Sequence, residues 1–100
     1  MVIEYLKFTV APDMREQFVQ KDDEIWTPIL TTSAGFLGKE VWISPDNLSE
    51  VVVAIRWSSV DQWQAIPATQ LQETEARFAA AMGNAYELVD SSRYQVRKVR

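Results

Sequence analysis

One hundred residues, 47% hydrophobic and 24% charged, suit one globular domain spanning 1–100, with a modest core because so short a chain leaves much surface in water. The formal charge is -4, and the cations gathered at the end of the chain (Arg93, Arg97, Lys98 and Arg100) fall short of the basic, aromatic-laced stripe of a nucleic-acid binder. With no cysteine and no histidine, disulfides, thiolate and Ser-His-Asp nucleophiles and most zinc, haem and non-haem iron sites drop out, so neither a metal nor a cofactor is expected. The opening residues lack the basic and apolar runs of a signal peptide, and no stretch reaches membrane-spanning length, which predicts a cytoplasmic protein with no membrane partner.

Residues 2–10 alternate as a strand, with Val2, Leu6, Phe8 and Val10 on one face and Ile3, Tyr5, Lys7 and Thr9 on the other. Ala11-Pro12-Asp13 starts a helix, Asp13 and Glu16 having the spacing of a capping box. That helix is expected to run to about Leu30, with Pro28 kinking its last turn. A loop at Ser33-Ala34-Gly35 leads to a strand over about 36–44. Pro45-Asp46-Asn47 turns the chain into a third strand at 50–57, making an antiparallel hairpin.

Ser59 with Gln62 caps a short helix that Pro67 ends. Thr69 with Gln72 opens another, which Gly83-Asn84 closes. Residues 86–99 return to strand. The order βαββαβ predicts an α+β, ferredoxin-like sandwich: a four-stranded antiparallel sheet with both helices on one face. Right-handed crossovers are expected to set strands one and three side by side and parallel. The uncovered face would carry Tyr5 and either Val41 or Trp42, and a second copy of the chain would cover it, forming a homodimer.

Met14, Phe18, Val19, Ile25, Trp26, Ile29 and Leu30 form an apolar stripe along the first long helix, and Asp22 lies in its middle. A carboxylate facing a core must be paired, hydrogen-bonded or protonated. One reading pairs Asp22 with a sheet cation such as Lys39, or with an indole or tyrosine hydroxyl. The other makes Asp22 a general base in a small-molecule site walled by Trp26, Trp57 and Trp63, together with Leu6 and Phe18. Glu75, beside the inward stripe of the last helix, reads as a rim residue.

The run from Val51 through Trp57-Ser58-Ser59-Val60-Asp61-Gln62-Trp63 resembles an element of the antibiotic biosynthesis monooxygenase-like superfamily, as does the Gly35-Phe36 entry to strand two. Gln20-Lys21-Asp22, Ile25-Trp26-Thr27-Pro28 and Gly35–Trp42 are similar to a small, mainly cyanobacterial family within it. The resemblance implies a dimeric α/β barrel with a pocket between helices and sheet in each subunit. Some members oxygenate polycyclic phenols without metal or flavin, and others degrade haem.

Trp57 matches a pocket tryptophan of the superfamily, whereas Leu6 stands where a polar pocket residue often sits. Where haem-degrading members carry histidine, Gln64-Ala65-Ile66-Pro67 stands, which speaks against haem degradation. The expectation is cofactor-free oxygenation or proton transfer on a small aromatic substrate. The alternatives are a non-catalytic ligand-binding module and a purely structural dimer.

Overall fold

The computed structural model describes residues 1–100. Strand β1 (Val2–Val10) leads through a 3-10 turn (Pro12–Met14) into helix α1 (Arg15–Thr31). Strands β2 (Phe36–Ile43) and β3 (Glu50–Trp57) form the hairpin, followed by a short α2 (Val60–Trp63), α3 (Ala68–Met82) and β4 (Tyr86–Gln95). The sheet has the order β2-β3-β1-β4, with every neighbouring pair antiparallel.

The expectation that strands one and three run parallel is corrected. The α1 crossover makes β2 run in the direction of β1, and the hairpin then reverses β3, so β1 and β3 pair antiparallel, Tyr5 opposite Ala54. Two expected capping boxes also fail to form. The 3-10 turn delays the start of α1, so Met14 rather than Asp13 takes the cap position, without a side-chain hydrogen bond. Pro67 caps α3 in place of Thr69, and its fixed φ suits the entry. The Ser59 cap is present: its Oγ accepts the Gln62 N–H at 3.1 Å.

Local chemistry accounts for the hairpin and the helix ends. Ser44 Oγ accepts the backbone N–H groups of Asp46 and Asn47, and Arg15 reaches across from α1 to donate to the carbonyls of Ser44 and Asn47. Gly35 has φ +82°, which only glycine adopts without strain. A Cβ there would also collide with the Gln62 side chain. Gly35 C=O accepts the Ser58 N–H at 2.8 Å, so the α1–β2 loop is clamped to the end of β3.

The core lies between the sheet and helices α1 and α3. Val10, Val51, Val53, Ile55 and Trp57 project from the sheet onto Phe18, Leu30, Phe78 and Met82 of the helices. Phe18 sits at the centre, its ring centroid 5.0 Å from Phe8 and 5.2 Å from Phe78. Burying each such ring stabilises the fold by about 1.5–3 kcal/mol, the term that holds helices to sheet.

Alternation assigns the other face. Val41 packs against the core, so Trp42 takes the uncovered side, opposite Val52 and 45% exposed. Tyr5 and Tyr94 meet edge-to-face there, 6.1 Å apart. No helix is long and apolar enough to cross a membrane.

Candidate functional site

The helices do not fill the whole space over the sheet. A mostly enclosed cavity of about 250 Å³ remains between the sheet and the helices α1–α3, lined by 17 residues of which 13 are hydrophobic. Leu6 and Phe8 of β1, Phe18 and Trp26 of α1, and Trp63 at the end of α2 form part of its wall. The four other lining residues are Glu4, Asp22, Lys39 and Glu75.

Helical spacing carries Asp22 to this wall. It lies one turn from Phe18 and one from Trp26, on the face that α1 presents to the sheet, and is only 5% exposed. Strand alternation brings Lys39 to the same place from β2, beside Val41 on the covered side. Lys39 Nζ stands 2.6 Å from Asp22 Oδ2 and donates to Thr27 Oγ1 at 3.0 Å.

This ion pair is the polar contact that holds Asp22 Oδ2, with no second partner beside it. Burial pushes the Asp22 carboxyl above its ordinary value, the charge and contact of Lys39 pull it back, and Asp23 adds a small push upward. Burial wins. Asp22 is therefore an ion-paired carboxylate that still binds a proton more readily than an aspartate in water.

Trp57 is the predicted pocket residue that the structure puts elsewhere. It is fully buried behind the wall, edge-on to Phe36 with centroids 5.9 Å apart, and is no part of the lining. The bulk that suggested a pocket wall is used for packing at the end of the sheet. Its indole N–H instead donates to Glu4 Oε1 at 3.1 Å.

Glu4 is a further acid of the wall, absent from the expected site. Strand parity is its signal in the sequence: it occupies the face of β1 that carries Leu6 and Phe8. Burial raises the Glu4 carboxyl above its ordinary value, against the Trp57 hydrogen bond and the Lys39 charge. Two acids of raised proton affinity thus share one lysine on the wall of one cavity.

Glu75, Tyr86 and Leu88 line both this cavity and an adjoining open cleft on the surface. Tyr86 donates its hydroxyl to Glu75 Oε1 at 2.6 Å, tying β4 to α3. Burial, and then the Glu75 carboxylate, push the Tyr86 phenol well above its ordinary value, so it stays a donor. A bulge at Val89, between the Lys7–Asp90 and Phe8–Leu88 pairs, resets β4 so that Tyr86 and Leu88 face the cavity. No group of three or more His, Cys, Asp or Glu side chains is placed to hold a metal ion.

The α+β sheet-and-helix layer thus keeps a mainly apolar void between its two layers. The chain belongs to the antibiotic biosynthesis monooxygenase family, whose model matches residues 1–72. Its fold is similar to the crystal structure of SnoaB, a cofactor-independent oxygenase from Streptomyces nogalater: TM-score 0.70, 18% identity, covering 98% of this chain and 94% of that one. It is also similar to the monooxygenase from the gene ActVA-Orf6 of Streptomyces coelicolor, solved in complex with nanaomycin D (TM-score 0.77, 14% identity, 99% and 89% covered). Rv0793 from Mycobacterium tuberculosis has the same fold, at TM-score 0.67, 17% identity and coverage of 98% and 96%. At such identities the likeness is one of fold. No curated protein sequence matches the chain.

Proposed function

We propose that the chain takes a small hydroxylated aromatic into the cavity and that Asp22 removes its phenolic proton, so that dioxygen reacts with the phenolate without metal or flavin. The observation that carries this reading is a buried carboxylate of raised proton affinity on the wall of a mostly enclosed, largely apolar void. Its proton affinity moves it toward the neutral range in which a general base works best. Lys39, 2.6 Å away, would stabilise the phenolate as it forms.

The electron-rich phenolate then gives one electron to dioxygen, and the radical pair recombines to form a C–O bond. Asp22 returns its proton to the peroxide anion, the hydroperoxide breaks its O–O bond as the ring carbon loses its proton to the freed carboxylate, and the departing hydroxide takes that proton to leave as water. One phenol and one dioxygen give one quinone and one water. Dry walls keep water from the radical pair and the peroxide.

Size narrows the substrate. A dry cavity of about 150 Å³ holds benzene, so the 250 Å³ here suits about one or two fused rings. The chain would work as a cytoplasmic homodimer joined through the uncovered sheet face, where Tyr5, Trp42 and Tyr94 would otherwise meet water.

One observation favours a second reading, binding without turnover: Asp22 is already paired with a cation, which opposes its action as a base. Oxygen uptake separates the two. With a panel of one- and two-ring phenols, turnover is expected from the wild type and not from Asp22→Asn, each confirmed folded by circular dichroism. Binding of the panel without oxygen consumption would leave the non-catalytic reading.

A further inference from the structure

The charges on the cavity wall do not balance. Glu4 and Asp22, with the exposed Glu75 at the edge of the lining, have one cation, Lys39, and the lining has no arginine or histidine. Lys39 contacts Asp22 and Thr27, and reaches Glu4 only through its longer-range charge. Glu75 is held by the Tyr86 hydroxyl. Glu4 receives one hydrogen bond, from Trp57 to Oε1, and its other oxygen receives none. Asp22 Oδ2, by contrast, is held by the Lys39 ammonium. What the cavity offers a ligand is therefore acceptors and negative charge inside apolar walls.

We propose that Glu4 selects an aromatic ligand carrying a protonated amine, which it pairs through its free oxygen, and that the cavity rejects aromatic acids. An ammonium brings several N–H donors and the missing positive charge to a site where water cannot screen the pair well. A hydroxyl brings a donor but no charge, and a carboxylate would add a fourth acid to the wall. Trp57 holds Glu4 in place, which explains why so large a side chain lies behind the wall rather than on it. The inference rests on the cavity being a ligand site, as proposed above, and gives that substrate an amino group as well as a ring hydroxyl.

Three probes of matched ring size test it without turnover: 1-naphthylmethylamine, 1-naphthylmethanol and 1-naphthoate, each titrated calorimetrically at neutral pH. The amine is expected to bind the wild type about tenfold or more tighter than the alcohol, and the acid not to bind. Glu4→Gln keeps an acceptor for the Trp57 indole and should retain alcohol binding while losing the amine preference.

Alcohol binding with no amine preference in the wild type overturns the proposal and leaves the cavity reading standing. An unchanged preference in Glu4→Gln overturns it too. Failure of all three probes overturns both. Should Glu4→Gln not fold, the wild-type ranking of the three probes still decides.

Discussion

Lys39 and Glu40 are neighbours on β2, yet their ion pairs behave oppositely. Alternation sends Lys39 to the covered face, where its pair with Asp22 is nearly closed to water, the two side chains being 6% and 7% exposed. Glu40 points to the uncovered face and meets Arg56 at 2.9 Å and the Trp42 indole N–H at 2.9 Å, in the open. Burial dominates the first pair and raises the Asp22 carboxyl. Hydrogen bonds from Trp42 and Arg56 dominate the second and lower the Glu40 carboxyl. The same bond type thus holds an acid of raised proton affinity on one side of a strand and surface charge on the other, and solvent access distinguishes them.

The comparison breaks most visibly when one partner is removed. Asp22→Ala leaves the Lys39 ammonium buried without a counter-ion and should cost about 3–5 kcal/mol in chemical denaturation. The double change Asp22→Leu with Lys39→Met, which removes both charges, should restore much of that loss. Glu40→Gln, in the open pair, should leave the denaturation midpoint nearly unmoved. Equal losses from Asp22→Ala and Glu40→Gln would mean that burial does not separate the pairs.

Stability against pH sharpens it. The folded pKa of Asp22 lies above its unfolded value near 3.8, so the native state holds the proton more tightly than the unfolded chain. Asp22 therefore subtracts stability as pH rises from about 3.8 through its raised folded value. Glu40 has a lowered folded pKa, so its contribution is present above about 4.5 and fades as pH falls through the folded value. Glu4, with its raised pKa, adds to the first trend. Denaturation midpoints taken between pH 3 and 7 should respond in opposite directions when Asp22→Asn and Glu40→Gln are each compared with wild type.

A smaller effect on the chain itself, though a plain one on assembly, is expected from Trp42→Glu. It puts a charge on the uncovered face while leaving the core alone. Light scattering should report twice the 11.5 kDa chain mass for the wild type and a shift toward that mass for the variant.

Much of this was legible in the sequence, because the features concerned are local. Pro45-Asp46-Asn47 marks the hairpin, Ser59 and Gln62 mark a cap, and the helical spacing of Phe18, Asp22 and Trp26 puts a carboxylate on the inner face. The features that were not legible depend on partners far apart in the chain. Glu4 meets Trp57 across 53 positions, and only the β1–β3 register makes them neighbours. Whether Trp57 lines a void or packs behind it depends on Phe36 and the end of the sheet. The capping boxes at Asp13 and Thr69 had the right spacing, but prolines at positions 12 and 67 set where the helices begin.

The four tryptophans report on both faces at once, and their indole N–H signals test the central claim directly. Trp26 and Trp63 line the cavity, Trp57 stands behind it, and Trp42 is on the opposite face. In a nitrogen-15 NMR titration with 2-naphthol, the Trp26 and Trp63 indole signals should shift saturably and Trp42 should stay in place. If Trp42 alone moves, or no indole responds at millimolar ligand, the cavity beside Asp22 is not a binding site.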